Sequence, residues 1–339
     1  MRTSTSCAFD QICSQTMQQR TKSAFALFRM YGVAMLLDSS GLLHRMSSEL
    51  GMLPSHLSLI IRTAPLRYKV FEIPKKAGGS RTVAQPAREV KAIQRWVIRE
   101  LTAHLPIHEA AMAYRPGVSI RRNAELHAAS RYMLKLDFTN FFPSILRSDI
   151  SSHLQCHCSN ILSPDACELV AHVCCWAPDR SPPLRLCIGA PSSPLLSNSI
   201  MFEFDNLLAS ISSAEGVTYT RYADDITLSS RERGKIDRYE RVVRDLLAGL
   251  DFPKLKINAG KTVYASRAGK RVVTGLVLTP EGDVSIGRDR KRLIRAMYHR
   301  SVLNELPEKE AQELAGLIAF ADSIEPGFSA RLKRLLPRS

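Results

Sequence analysis

Apolar residues change their spacing several times along this chain, and each change marks an element. From Ala24 to about Arg62 they recur at helical intervals, with "DSSGLL" and "MLPSH" as turn and N-cap signals, so short helices are expected after a frayed polar stretch over residues 1–22. At Arg67 the period falls to two. "RYKVFEIP", Arg67 to Pro74, predicts a strand, "KKAGGS" a Gly-rich turn and "RTVAQP" the returning strand of a basic hairpin. Val90, Ile93, Val97 and Leu101 restore helical spacing from Ala87 to about His104, and "RYMLKLDF", Arg131 to Phe138, reads as another strand. Helices are expected over 146–157, 164–175 and from Ser193 to about Ile211. "GVTYTRYADDITLSS" reads as strand, tight turn, strand, with a helix after it from about Gly234 to Leu250. Short strands in "KTVYAS" and "RVVTGLVLT" then lead into a helical, strongly basic last stretch of about 50 residues. With no internal repeat, this is an α+β core with helical ends.

Composition narrows the partners. The 339 residues can bury a substantial core, and 47 Lys and Arg against 32 Asp and Glu leave a formal charge of +15. Such an excess favours a polyanion, nucleic acid before an anionic membrane surface. No apolar run reaches the length of a membrane span, and Ala24–Leu37 carries Arg29 in its middle, so no membrane partner and a cytoplasmic protein are expected. The 8 cysteines lack framework spacing and are expected as reduced thiols. His153, Cys156, His157, Cys158, Cys167, His172, Cys174 and Cys175 lie close enough in sequence to suggest zinc. The segment has no Cys-x-x-Cys pair, however, and its helical period favours small thiols on a packing face.

Against that basic background two acids stand side by side, Asp224 and Asp225, in a turn between strands. Like charges about 4 Å apart repel by about 4 kcal/mol near a protein surface, so the pair calls for a cation, and hard oxygen ligands suit magnesium. Asp137 ends another strand. If the two strands are neighbours, Asp137 and Asp224 meet at one pair of metal ions, an arrangement that activates a hydroxyl and stabilises a departing phosphoryl oxygen. The bland alternative is a solvated turn and an unrelated strand-end acid.

"LDFTNFFPSI", "GAPSSPLLSN" and "YADD", in that order, resemble the palm motifs of reverse transcriptases, and "IPKKAGGSRTVAQPAREVKAIQRW" resembles the fingers hairpin of prokaryotic members. "SIRRNAELH" and "VVTGLVL" carry Asn-Ala-x-x-His and Val-Thr-Gly signatures similar to those of bacterial retron enzymes, as do the tail segments "VSIGRDRKRLIRAMYHR" and "ELAGLIAFADSIEPGF". The resemblance spans roughly residues 65 to 335. It implies a right-hand polymerase: an N-terminal helical extension over 1–62, fingers over 63–133, and a palm over 134–270 of antiparallel sheet plus helices. The palm would carry a helical insertion near 146–185, and primer-grip strands with a short helical thumb would fill 271–339.

Carried residue by residue, the resemblance implies two magnesium ions, with manganese as a substitute, on Asp137 and Asp224. The Phe138 carbonyl would add an oxygen, and Asp225 would take a less direct part. Lys75, Lys76 and Arg81 would clamp the dNTP triphosphate. Phe142 would exclude a ribose 2′-hydroxyl, with Phe141 as the alternative. Gly189 and Ala190 would permit close approach of the nucleotide, with Ser193 and Pro194 starting the helix behind them. Lys261 would face the pyrophosphate leaving group, and Tyr222 would pack under the primer. Asn123 and His127, four apart on a helix, would share RNA contacts. Thr274 and Gly275, read as part of a strand, would lie near the primer. Arg288, Arg290, Lys291, Arg292, Arg295 and Arg300 would form a basic stripe for phosphates. Ile188 departs from the family's Gln before Gly-Ala-Pro.

The implied function is reverse transcription of a dedicated noncoding RNA, primed from an RNA 2′-hydroxyl, with the DNA product and a separately encoded effector as partners in defence against phage. A group II intron-like or abortive-infection enzyme and a non-catalytic RNA-binding component remain the alternatives.

Overall fold

The computed structural model describes residues 36–75 and 78–335. Lys76 and the readings over residues 1–35 lie outside the described residues.

Helix α1 (Ser39–Leu50) starts where the Asp38 carboxylate accepts Gly41 N–H at 2.7 Å and ends on Gly51 at φ 64°. Helix α2 (Pro54–Thr63) follows, and both bury an apolar face containing Leu42, Met46, Leu57 and Ile60. Strands β1 (Tyr68–Pro74) and β2 (Ser80–Pro86) pair antiparallel, Ile73 opposite Arg81. This hairpin projects from the body, with most of its side chains exposed. It is anchored where Ala84 N–H donates to the Ile188 carbonyl at 2.9 Å.

Helix α3 (Arg88–Leu101) buries Val90, Ile93, Trp96, Val97 and Leu101, the spacing legible in the sequence. Helix α4 (Ile120–Ala128), capped by the Ser119 hydroxyl, leads into β3 (Tyr132–Asp137). A short turn of helix, α5 (Phe141–Ser144), precedes α6 (Arg147–His157) and α7 (Pro164–Cys174), which pack on each other. Cys158, Cys167, Cys174 and Cys175 are buried there in the main core, and burial pushes the Cys158 and Cys174 thiols up to about 12. They serve as the small packing groups that the helical period implied. His153 Nε2 lies 2.7 Å from Ser199 Oγ.

The single helix expected from Ser193 to Ile211 is two, α8 (Ser193–Ile200) and α9 (Phe202–Ala214), broken at Met201. The break lets α8 run buried through the core while α9 lays Phe204, Asp205 and Leu208 against the sheet. Strands β4 (Thr218–Tyr222) and β5 (Asp225–Ser230) follow. Helix α10 (Tyr239–Gly249) starts five residues later than the pattern suggested, because Gly234 at φ 83° holds a turn ahead of it. Strand β6 (Val263–Ser266) completes an antiparallel sheet in the order β4-β5-β3-β6. Alternate residues of β3, Leu134 and Leu136, meet Leu228 and Ile226 of β5 in the core.

Strands β7 (Arg271–Val273), β8 (Leu276–Leu278) and β9 (Val284–Ser285) form a separate sheet. Thr274 and Gly275 are the two-residue turn between β7 and β8, at φ 47° and 78°, rather than part of a strand. A primed hairpin turn needs positive φ at both positions, which is why glycine follows threonine there. Helices α11 (Arg288–Val302), α12 (Glu308–Ile324) and α13 (Phe328–Leu335) pack with this sheet and α4 into a second core around Leu276, Ile294, Leu314 and Phe328. The buried Arg271 guanidinium joins the two cores, donating to the carbonyls of Ser130 and Ala128 before β3 and of Thr279 after β8.

Candidate active site

The register of two neighbouring strands brings the acids together. Asp137, the last residue of β3, is directly opposite Asp225, the first of β5, and Asp224 precedes it in the two-residue turn from β4. Phe138 N–H donates to the Asp224 carbonyl at 3.2 Å, tying the turn to the end of β3, and Asn258 N–H donates to the Asp137 carbonyl at 2.8 Å. Directly opposed residues in a sheet have Cβ atoms about 4.5–5.5 Å apart, which sets the Asp137 and Asp225 side chains next to each other.

The turn is held against its own preference. Ala223 takes φ 55°, a left-handed conformation that costs a non-glycine residue about 1–2 kcal/mol. Its carbonyl accepts from Arg221 Nη1 at 3.0 Å. The Arg221 guanidinium is fully buried against Asp205, which also accepts from the Tyr219 hydroxyl at 2.6 Å, and it reaches the Asn198 amide oxygen at 3.3 Å. Sequence reading missed Arg221, Asp205 and Asn198, although an arginine inside the apolar alternation of β4 and an acid on the buried face of α9 both signal a satisfied internal pair.

Electrostatics at the acids calls for positive charge. Burial raises Asp225 to about 6; Lys135 opposes the rise, and Asp224 and Asp137 add to it. Burial also raises Asp224; a backbone hydrogen bond lowers it, the Asp137 charge adds to the rise, and Lys261 and Arg81 oppose it. Lys261 Nζ lies 2.9 and 3.0 Å from the two oxygens of Asp137. Asp137, Asp224 and Asp225 offer hard oxygens of the kind divalent ions take, but with the Lys261 ammonium drawn to Asp137 the side chains among the described residues form no group of three placed to hold an ion.

Around them, Arg81 and Lys75 are exposed at the outer end of the hairpin. Gly189 sits at φ 110° beneath β2, where a Cβ would come within 2.9 Å of Val83 Cγ1 and 3.0 Å of the Ala84 carbonyl oxygen. Only glycine fits that approach. Ala190 is buried beside it, and Ser193 starts α8. Ile188 joins the hairpin through its backbone carbonyl, a link that no side chain at 188 supplies. Phe141 is buried and stacked on Phe138 at 5.7 Å between ring centroids, while Phe142 is only partly buried, packed edge-on against Phe141 at 5.3 Å. Tyr222 is half-buried at the end of β4.

Two expectations are corrected. Asn123 and His127 are buried, not available to RNA: His127 Nδ1 is 2.7 Å from Ser229 Oγ and Nε2 is 2.8 Å from Thr220 Oγ1, so the ring pins α4 to β5 and β4. The basic stripe of α11 is also narrower than its sequence. Lys291 is paired to Glu325 at 2.7 Å, Arg290 lies over the Phe320 ring and donates to the Gly275 carbonyl, and Arg300 pairs with Glu310 at 2.9 Å. Arg288, Arg292 and Arg295 stay exposed.

A strand-end acid beside an acidic hairpin turn, under a projecting basic hairpin and next to a basic helical unit, defines a nucleotidyl-transferring polymerase of the right-hand type. Residues 73–290 match the family model described as reverse transcriptase (RNA-dependent DNA polymerase), and the chain belongs to that family. It is 38% identical over 279 residues to the retron Ec83 reverse transcriptase of Escherichia coli, covering 81% of this chain and 89% of that protein. It is 34% identical over 290 residues to the retron Ec73 reverse transcriptase of the same organism, covering 81% and 88%. The chain is therefore an RNA-directed DNA polymerase of the retron type, in a family that uses divalent metal ions. An apo telomerase from Candida tropicalis overlaps it with a TM-score of 0.44 at 13% identity, covering 79% of this chain and 59% of that one. Among the described residues no helix is long and apolar enough to cross a membrane.

Proposed function

We propose that this protein copies a dedicated structured noncoding RNA, in complex with it, into a short single-stranded DNA primed from a 2′-hydroxyl of that RNA. Retron reverse transcriptases act with a noncoding RNA template, and the chain's likeness to several of them over most of its length supports the same role here. The observation that carries the catalytic reading is the register of Asp137 against Asp225 with Asp224 in the adjoining turn.

In this reading residues 63–133 are fingers, 134–270 palm and 271–339 primer grip and thumb. Asp137 and Asp224 would hold two magnesium ions, with the Phe138 carbonyl as a further oxygen and Asp225 adding charge beside them. A pair of ions held there would supply activation of the attacking hydroxyl and charge for the departing phosphoryl oxygen. The protein's own side chains do the rest. Arg81, Lys75 and Lys76 gather the dNTP triphosphate, with the forked guanidinium giving the more directional contact. Phe142 presses on the sugar where a 2′-hydroxyl would stand, and the bare Gly189 lets the nucleotide come close. Tyr222 supports the primer end. Lys261 releases Asp137 and turns to the leaving pyrophosphate, supplying positive charge and a proton. Arg288, Arg292 and Arg295 hold phosphates of the RNA or of the duplex being made. A separately encoded effector then couples the complex to defence against phage.

The test is the nucleic acid that copurifies with the protein from cells. A short DNA that survives RNase and is joined to RNA is expected from the wild type and absent from an Asp224→Ala, Asp225→Ala variant. Recovery of the same DNA from that variant overturns the catalytic assignment. Activity restored to metal-stripped protein by magnesium identifies the ion, and restoration by manganese alone refutes it.

A further inference from the structure

The segment after α3 belongs to no strand or helix of its own, yet it is fixed from three sides. Arg221 N–H donates to the Ala110 carbonyl at 2.8 Å and Met112 N–H to the Arg221 carbonyl at 2.7 Å, so residues 110–112 run alongside β4 as an added edge of the central sheet. The Asn198 amide donates to the Ala113 carbonyl at 2.7 Å. The Arg115 guanidinium closes the loop by donating to the carbonyls of His108, Glu109 and Ala111 at 3.2, 2.9 and 3.2 Å. Ala110 through Ala113 are accordingly buried.

Tyr114, the next residue, does the opposite. It is 52% exposed and adopts φ 57°, a conformation that a bulky side chain rarely takes. No hydrogen bond of its hydroxyl is found among the described residues. Its own contacts therefore do not account for its place; the frame of Arg221, Asn198 and Arg115 does. That frame also carries the Ala223 carbonyl, so one buried network sets both Tyr114 and the catalytic turn. The phenol's pKa is raised first by partial desolvation, then by the charges of Asp224 and Tyr222, while Arg81 opposes the rise. The parallel pairing of Ala111 with Arg221 runs this segment in the direction of β4, which brings Tyr114 to the end of the strand where Asp224 turns. Backbone strain kept by surrounding structure concentrates at binding and catalytic sites.

We propose that Tyr114 is a substrate-contacting residue whose ring packs against the terminal base pair of the primer–template duplex beside Tyr222. This rests on the polymerase reading above. An aromatic face serves any base, so the contact supports every register of copying without reading sequence. Its rigid mounting holds the ring in place before the duplex arrives, which limits the ordering cost of binding.

The test compares Tyr114→Gly, which removes the ring and accepts positive φ without strain, with Tyr114→Phe, which keeps the ring. The probe is a fluorescent DNA primer annealed to an RNA template, bound to full-length protein freed of copurified nucleic acid. The expected loss in Tyr114→Gly is on the order of tenfold in primer–template affinity, with most of it recovered in Tyr114→Phe and a thermal midpoint no lower than wild type. Unchanged affinity in Tyr114→Gly overturns the proposal. A fall in affinity accompanied by an equal fall in thermal stability overturns it too, because the ring would then be structural. Binding is read without synthesis, so a wild type that extends no primer counts against the polymerase reading while the affinity still decides Tyr114.

Discussion

Arg221 and Asp205 form a two-point ion pair closed off from water: Nε meets Oδ1 at 2.8 Å, Nη2 meets Oδ2 at 2.6 Å, and neither side chain has exposed surface. Removing one partner of such a pair strands a charge in the interior. Asp205→Ala should lower unfolding free energy by about 3–5 kcal/mol, read by urea denaturation. A double variant, Asp205→Leu with Arg221→Met, should regain much of that stability. It should not regain DNA synthesis, because the Ala223 carbonyl has lost its donor. Full activity in the double variant would show that the network is not needed to hold the catalytic turn.

Lys261 sits where a metal ion's charge would be useful, bonded to both oxygens of Asp137. An ammonium and a divalent ion compete for the same lone pairs. In Lys261→Met, manganese should bind the nucleotide-free protein several-fold more tightly, and if Lys261 has the proposed acid role the rate of nucleotide addition should fall by about 10²–10⁴. Manganese titration by electron paramagnetic resonance checks the first part and single-turnover extension the second. Equal manganese affinity in the two proteins would remove the competition.

Asp225 has a folded-state pKa of about 6, above that of an unfolded aspartate, so the native state keeps its proton longer than the unfolded chain. Below about pH 4 both states are protonated and the group costs nothing. Between about 4 and 6 the unfolded state ionises first, so the contribution of Asp225 to the stability of metal-free protein falls as pH rises through that window, opposite in sign to that of a buried neutral histidine. Asp225→Asn should remove its share of the slope and raise the thermal midpoint in chelator at pH 7 by roughly 2–4 °C for each kcal/mol recovered. Scanning calorimetry from pH 4 to 8 decides it; an unaltered slope would mean that Asp225 is not the group penalised.

How the sequence and the structure divide the information is visible in these same residues. Asp137 and Asp224 could be placed at strand ends because period-two alternation and a tight turn are local patterns, and the strands around them run as read. Helix α9 could not be separated from α8, since serines and Asn198 give the break no local mark. Arg221 was hidden by distance in sequence: its partner lies on another element, and only pairing across the fold makes an arginine tolerable in a strand interior. His127 was misread for the same reason. On a helix surface it looks free, and the hydroxyls of Thr220 and Ser229 that absorb it lie in another part of the chain.

That burial gives His127 a measurable signature. Desolvation pushes its imidazole down to about 3, so it stays neutral in the folded protein. Above about pH 6.5 both states are neutral and the contribution is intact; below it the unfolded chain takes up a proton that the native state refuses. The contribution of His127 should therefore fall on acidification from about 6.5 towards 3, read as the difference in pH slope between wild type and a His127 variant. In His127→Leu the Thr220 hydroxyl loses its partner, while Ser229 keeps its bond to the Ser130 hydroxyl at 2.9 Å, so the cost by unfolding measurements is about 1–3 kcal/mol. RNA affinity of the folded variant should match wild type. A selective loss of RNA binding without loss of stability would restore the surface reading of Asn123 and His127.

The C-terminal helical unit allows a similar separation between exposed charge and charge that holds the fold. Arg292 and Lys291 are neighbours on α11, but Arg292 is exposed while Lys291 is spent on Glu325, whose carboxylate also accepts from the Ser285 hydroxyl and Ile286 N–H. A phosphate contact releases counterions, so each one lost should flatten the dependence of log affinity on log salt by about 1. Arg292→Ala and Arg295→Ala should each do so against RNA or a primer–template duplex, leaving thermal stability nearly unchanged. Lys291→Ala should do the reverse, costing stability with an unaltered salt slope, because its charge never reaches a phosphate. Fluorescence anisotropy from 50 to about 300 mM salt gives the slopes. If Lys291→Ala flattens the slope as Arg292→Ala does, the Glu325 pair opens on binding and the stripe is as wide as the sequence made it.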